Sequence, residues 1–313
     1  MESSEPRLSI CDVAPRDGLQ NLARLFSVDE KAALIERLIG AGIRHIEVGS
    51  FVNPARVPQM GGIEEVLARV SKPDGVRFAG LALNARGAER ALATDIDELR
   101  YVLVASETFS LRNQGASVAE AEAGFAAAAQ LARAEGRDTT AVIAAAFGCP
   151  YEGLVDARHV LAIAQRAIAA GAGQVIFADT IGAGVPVQVT QYCERFRAAT
   201  PDTPFGFHFH NTRNTGYANA IAAVAGGASV LDASVGGIGG CPFAPNATGN
   251  IATEDLHYLL RQSGIATGLN EAALTATVDW LARLIPSDIT GQLSRAGYFP
   301  DISARPTRKD IPA

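Results

Sequence analysis

Cysteine is scarce: Cys11, Cys149, Cys193 and Cys241 are the four in 313 residues, without a CxxC pair or a disulfide-dense spacing. A disulfide-stapled scaffold is therefore excluded, and a reducing cytoplasm is the simplest home. No apolar run approaches the ~18 residues of a membrane span, and the longest, such as Ala141 to Phe147, suit a buried strand. Clustered positive charge is missing as well. The net charge is −6 with the basic residues scattered, which argues against nucleic acid as a partner. The segment MESSEPRLSI lacks a basic region followed by an apolar stretch, so no targeting segment is expected there.

What is present is a large apolar fraction, 48% of the chain, laid out in regular alternation. Strand-like runs occur at Leu8–Ala14, His45–Gly49, Val76–Leu83, Leu99–Ser106, Thr140–Phe147, Gln174–Thr180, Phe205–His210 and Val230–Val235. Helical patterns lie between them at Val28–Gly40, Gly62–Val70, Ala85–Ala93, Val118–Glu135, Asp156–Ala170, Val187–Ala199 and Thr215–Ala225. Thr253–Gln262 follows the last strand, and Glu271–Leu284 reads as an appended helix. The strands are nearly continuous in apolar residues, as expected when helices cover one face and a packed interior the other. This pattern predicts an α/β fold, a (β/α)₈ TIM barrel over about residues 8–262 with a C-terminal helical extension over 263–313, in one catalytic domain. The tail from Arg305 to Ala313 reads as loosely attached.

In such barrels the chemistry sits at the C-terminal ends of the strands. Those ends carry Arg16 and Asp17 after strand one, Glu47 in strand two, Asp179 in strand six, and His208 and His210 in strand seven. Strand eight opens into Gly236-Gly237-Ile238-Gly239-Gly240-Cys241, and Asn250 follows. Histidines spaced i, i+2 on a strand project from one face, where two imidazoles can chelate one ion. With Asp17 nearby, a His₂Asp set plus an amide oxygen suits Mg²⁺ or Mn²⁺ better than structural zinc. Arg16, beside Asp17, reads as a fixed cation for a developing oxyanion. Glu47 and Asp179 read as acids that orient the histidines and the arginine. The glycines before Cys241 allow a mobile lid bearing a thiol. A dinucleotide loop is not completed, because Pro242 and Val187 stand where third glycines would be needed.

Together these segments resemble the 3-hydroxy-3-methylglutaryl-CoA lyase family of metal-dependent aldolase-like barrels. The matching motifs are PRDGLQN (15–21), SFVNP (50–54), VPQMG (57–61), GCPYEG (148–153), DTIGAG (179–184), HFHNT (208–212) and GGIGGCPFAPNATGNIATEDL (236–256). The resemblance implies a divalent metal, Mg²⁺ or Mn²⁺, on Asp17, His208, His210 and Asn250. Arg16 would stabilise an enolate and Cys241 would transfer a proton, with Glu47 and Asp179 supporting and His208 added to the proton relay. The reaction would be retro-Claisen cleavage of a 3-hydroxy-3-methylglutaryl-CoA-like thioester to acetyl-CoA and acetoacetate. CoA would enter as part of the substrate. Expected partners are the acyl-CoA and further copies of the chain, as a dimer or tetramer, with neither nucleic acid nor membrane. A different or longer 3-hydroxyacyl-CoA, an acetyl-CoA-condensing synthase, and a non-enzymatic metal-binding scaffold are the competing expectations. Three departures stand out: Asp12 in place of a glutamate, Asn211-Thr212-Arg213-Asn214 in place of an acidic run, and a C-terminus without a cysteine. The first two are expected near the substrate pocket, where they bear on the acyl group.

Overall fold

A computed structural model describes residues 8–240 and 249–299. The strands are β1 (Ser9–Asp12), β2 (His45–Ser50), β3 (Arg77–Ala82), β4 (Glu98–Val104), β5 (Asp138–Ala144), β6 (Gln174–Asp179), β7 (Phe205–Phe209) and β8 (Val230–Ala233). All pair in parallel, in chain order, and β8 closes on β1 through Ser9 to Asp12. The helices are α1 (Val28–Gly40), α2 (Ile63–Arg69), α3 (Ala85–Leu92), α4 (Glu107–Gln114), α5 (Val118–Ala134), α6 (Ala157–Ala169), α7 (Pro186–Ala199), α8 (Gly216–Ala225), α9 (Thr253–Gln262), α10 (Glu271–Leu284) and α11 (Leu293–Ala296). The (β/α)₈ architecture expected from the alternation is the architecture observed.

Local chemistry explains the boundaries. Ser27 and Glu30 form a reciprocal capping box that starts α1, and Ser117 with Glu120 does the same for α5. Strand β1 ends earlier than its apolar run suggests. The Asp12 carboxylate accepts from the Ala14 N–H at 2.9 Å, and the Val13 carbonyl accepts from Arg16 and Gly18. The chain is thereby wound into one π-helical turn, Ala14–Gly18. Helix α4 was not legible in the sequence: it buries Phe109 and Ser110 alone and so lacks an apolar stripe, and its start depends on the Ser106 cap.

On β7, Phe205, Phe207 and Phe209 turn toward α7 and its neighbours. Phe205 meets Phe196 at 5.2 Å, Phe207 meets Phe177 at 5.6 Å, and Phe147 lies 5.0 Å from Tyr192. Each such buried ring contributes roughly 1.5–3 kcal/mol. Strand alternation then sends His208 the other way, into the barrel mouth. Past the barrel, α10 packs on α1, with the Trp280 ring beneath Arg37 and edge-on to Phe26. Asp255 of α9 accepts from the N–H groups of Gln292 and Leu293, which fixes the start of α11.

Candidate active site

The π-helical turn after β1 presents Arg16 and Asp17 over the mouth of the barrel. Arg16 donates to Asp17, and its Nε lies 2.5 Å from Oε2 of Glu47, which is fully buried in β2. Across the mouth, His208 and His210 bring their Nε2 atoms to 3.1 Å of each other. Those nitrogens stand 3.8 Å and 3.6 Å from Oδ2 of Asp17. Asn250 bridges to the backbone of His210, and its amide donates to Asp17 Oδ2 at 2.9 Å and to the Ile238 carbonyl at 3.0 Å. Six of the residues singled out from sequence, Arg16, Asp17, Glu47, His208, His210 and Asn250, thus meet in one place.

This set fits a divalent cation. Among the described residues, Asp17, His208 and His210 are the one His/Cys/Asp/Glu group whose ligand atoms lie mutually within 4.8 Å. The surrounding buried acids, Asp17, Glu47, Glu98 and Asp232, face the buried Arg100 and the partly buried Arg16. Imidazole and carboxylate donors without a thiolate suit a borderline or hard ion.

The electrostatics follow the geometry. Burial alone would raise the Asp17 carboxyl, but the Arg16 charge, then the two histidines and the Asn250 amide, outweigh it and hold Asp17 well below the carboxylate range. Burial likewise pushes His208 down, yet its hydrogen bond to Asp232 and the Asp17 charge carry it above its ordinary value. His210 falls to about 4 through burial and then the neighbouring His208 charge.

Other expected residues fall elsewhere. Asp179 is buried at the end of β6, but its oxygens accept from the N–H groups of Ala183 at 2.8 Å and Gly184 at 2.9 Å. It holds its own loop, and none of its described hydrogen bonds reaches Arg16 or a histidine. Cys241 lies outside the described residues, although Gly240 before it lines the cavity and accepts from the Asn21 amide. Asp12 does not reach the substrate cavity, contrary to expectation. Its second oxygen accepts from the Val235 N–H and the Thr253 hydroxyl, tying β1 to the exit of β8 and to α9. Arg213 donates to the carbonyls of Ile181 and Gly182, which joins the loop after β7 to that after β6.

Sequence reading missed Asp232 on β8 and Arg100 on β4. The Asp232 Oδ2 lies 3.2 Å from His208 Nδ1 and 3.0 Å from Arg100. A polar residue inside each apolar run, LDA and ELRYVLV, was the available signal. The cavity over this site measures about 520 Å³ and has two unlike halves. Arg16, Asp17, Ser50, His208 and His210 line one, from β1, β2 and β7. Leu81, Val102, Val142, Ala144 and Ala178, from β3 to β6, line the other. The Ser50 hydroxyl is buried without a hydrogen-bond partner and faces this space.

The HMGL-like family model matches residues 7–281. The chain belongs to the HMGL-like family. It is 44% identical to the (R)-citramalyl-CoA lyase of Chloroflexus aurantiacus, over 94% of this chain and 96% of that one. It is 37% identical to the hydroxymethylglutaryl-CoA lyase of Pseudomonas mevalonii, over 96% and 99%. A solved HMG-CoA lyase from A. baumannii, in complex with coenzyme A and 3-methylmalate, superposes with a TM-score of 0.91 at 36% identity, covering 98% of this chain and all of that one. This HMGL-like chain is accordingly a hydroxymethylglutaryl-CoA-lyase-like carbon–carbon lyase. Among the described residues, no helix is long and apolar enough to cross a membrane.

Proposed function

We propose that the protein cleaves a short 3-hydroxy-3-methyl dicarboxylyl-CoA thioester, of the 3-hydroxy-3-methylglutaryl-CoA kind, by retro-Claisen reaction. The observation that carries this is the meeting of Asp17, His208 and His210 with the Glu47-held guanidinium of Arg16 at one cavity. Asp17, His208, His210 and Asn250 would hold Mg²⁺ or Mn²⁺, which when bound supplies Lewis-acid polarisation of the substrate's oxygens. As the 3-hydroxyl loses its proton, C3 becomes a ketone and the C2–C3 bonding pair becomes the enolate of acetyl-CoA. Arg16, kept in place by Glu47, faces that charge, and a proton returned to C2 from Cys241 completes the methyl group. With hydroxymethylglutaryl-CoA the ketone product is acetoacetate.

The 44% identity to a citramalyl-CoA lyase favours a second reading, in which the acyl group is one methylene shorter and the ketone is pyruvate. Incubating the purified protein with Mg²⁺ or Mn²⁺ and each thioester, with products resolved by mass spectrometry, decides between them. Release of acetyl-CoA from neither thioester would overturn both readings. Cys11, Cys149 and Cys193 as buried free thiols support a reducing, cytoplasmic setting. Self-association as a homo-oligomer, the remaining part of this reading, is tested by size-exclusion chromatography with light scattering.

A further inference from the structure

Interiors of barrels of this type are normally filled with layers of branched apolar side chains. Arg100, midway along β4, breaks that pattern: it is a fully buried arginine in register with Leu81 of β3 and Thr140 of β5. Its Nε donates to Glu98 at 2.9 Å, and its Nη1 donates to the two oxygens of Asp232 at 3.1 and 3.0 Å. The same Nη1 lies 3.7 Å from Oε1 of Glu47. Asp232 in turn meets His208 Nδ1, and Glu47 meets Arg16 Nε. One guanidinium therefore stands between the acid that holds the metal-facing histidine and the acid that holds the substrate-facing arginine.

We propose that Arg100 is a positioning residue for both halves of the site, acting through Asp232 on His208 and through Glu47 on Arg16. The inference rests on the reading that His208 binds metal and Arg16 faces the substrate. A planar fork with charge-assisted hydrogen bonds fixes the directions of its partners, which a point charge does not. Asp232 so fixed accepts the hydrogen bond of His208 Nδ1–H, which sets the ring's tautomer and leaves the Nε2 lone pair free to face the ion. Glu47 Oε1 has no hydrogen-bond partner among the described residues, and it lies 3.7 Å from Arg100 Nη1, close enough for that charge to hold the carboxylate in place beside Arg16.

Arg100→Lys tests this, because it keeps the buried charge and removes the fork. The expected result is a folded protein by circular dichroism whose Mn²⁺ affinity, measured by calorimetry, falls ~10–100-fold, the usual effect of losing an outer partner of a ligand. The kcat falls with KM little changed, and the ¹⁵N signals of the His208 ring shift. Combined with Asp232→Asn, the loss in Mn²⁺ affinity is no larger than that of the more severe single variant, because both act on one path. Wild-type Mn²⁺ affinity in folded Arg100→Lys, or multiplying losses in the double variant, would overturn the proposal. If Arg100→Lys does not fold, Arg100→Gln with Glu98→Gln, which removes one charge of each sign, enters the same assay. Failure of both to fold makes the arginine structural, and the proposal falls. Weakened Mn²⁺ binding in a protein that cleaves neither thioester upholds Arg100 and sinks the substrate reading.

Discussion

Glu254, at the start of α9, is fully buried, and its Oε2 accepts the N–H of Gly236 at 3.0 Å. Its other oxygen has no hydrogen-bond partner, and burial raises the carboxyl from 4.5 to about 8. The folded state thus keeps a proton that the unfolded chain releases near pH 4.5. Where the native state binds more protons, stability falls as pH rises. The contribution is fully present below pH 4.5 and is lost progressively as pH climbs through about 8. One pK unit corresponds to about 1.4 kcal/mol, so the full shift is on the order of 5 kcal/mol, and relaxation with water entry upon ionisation reduces it to roughly 1–3. Glu254→Gln removes the titration while keeping shape and the acceptor for Gly236. Urea unfolding at pH 5, 7 and 9 should show near-equal stability at pH 5 and a Gln variant more stable by about 1–3 kcal/mol at pH 9. Parallel stability profiles for the two proteins would refute the reasoning.

Arg16→Gln should stay folded, with KM near wild type and kcat lowered ~10²-fold or more, since one preorganised donor to the enolate is lost. A raised KM at unchanged kcat would make Arg16 a binding residue instead. EDTA should abolish cleavage and Mn²⁺ or Mg²⁺ restore it, and His210→Ala should bind Mn²⁺ far more weakly in calorimetry. Full activity in metal-free buffer contradicts the ligand set. Cys241→Ser should bind metal normally and turn over ~10²–10⁴-fold more slowly, as expected for loss of a proton donor. An acyl adduct on Cys241 seen by mass spectrometry would replace proton transfer with covalent catalysis.

The barrel was readable because its strands are short apolar runs separated by amphipathic helices with strong signals, such as the Ser27–Glu30 capping box. The HxH pair was readable because strand alternation is local, and the phenylalanines flanking His208 fix which way it turns. What escaped was set by closure of the sheet. Asp232 reaches His208, and Arg100 reaches Asp232 from the far side of the barrel, 132 positions away in the chain. No periodicity records such a distance. Asp179 shows the reverse: its place at a strand end was readable, but the turn after β6 that brings two amides to its oxygens was not. Asp12 was misplaced for a related reason, because its partners at Val235 and Thr253 arrive from the other end of the chain.

On the proposed function, the two unlike walls of the cavity separate the reaction from the choice of acyl group. Bond breaking would fall to side chains from β1, β2 and β7, which buried ion pairs tie together. Leu81, Val102, Val142, Ala144 and Ala178 carry no charge and sit on the opposite strands, so exchanging one for a smaller or larger apolar residue reshapes the space for an acyl chain without disturbing a single ion pair. Cores accept volume changes of this kind at about 1–3 kcal/mol.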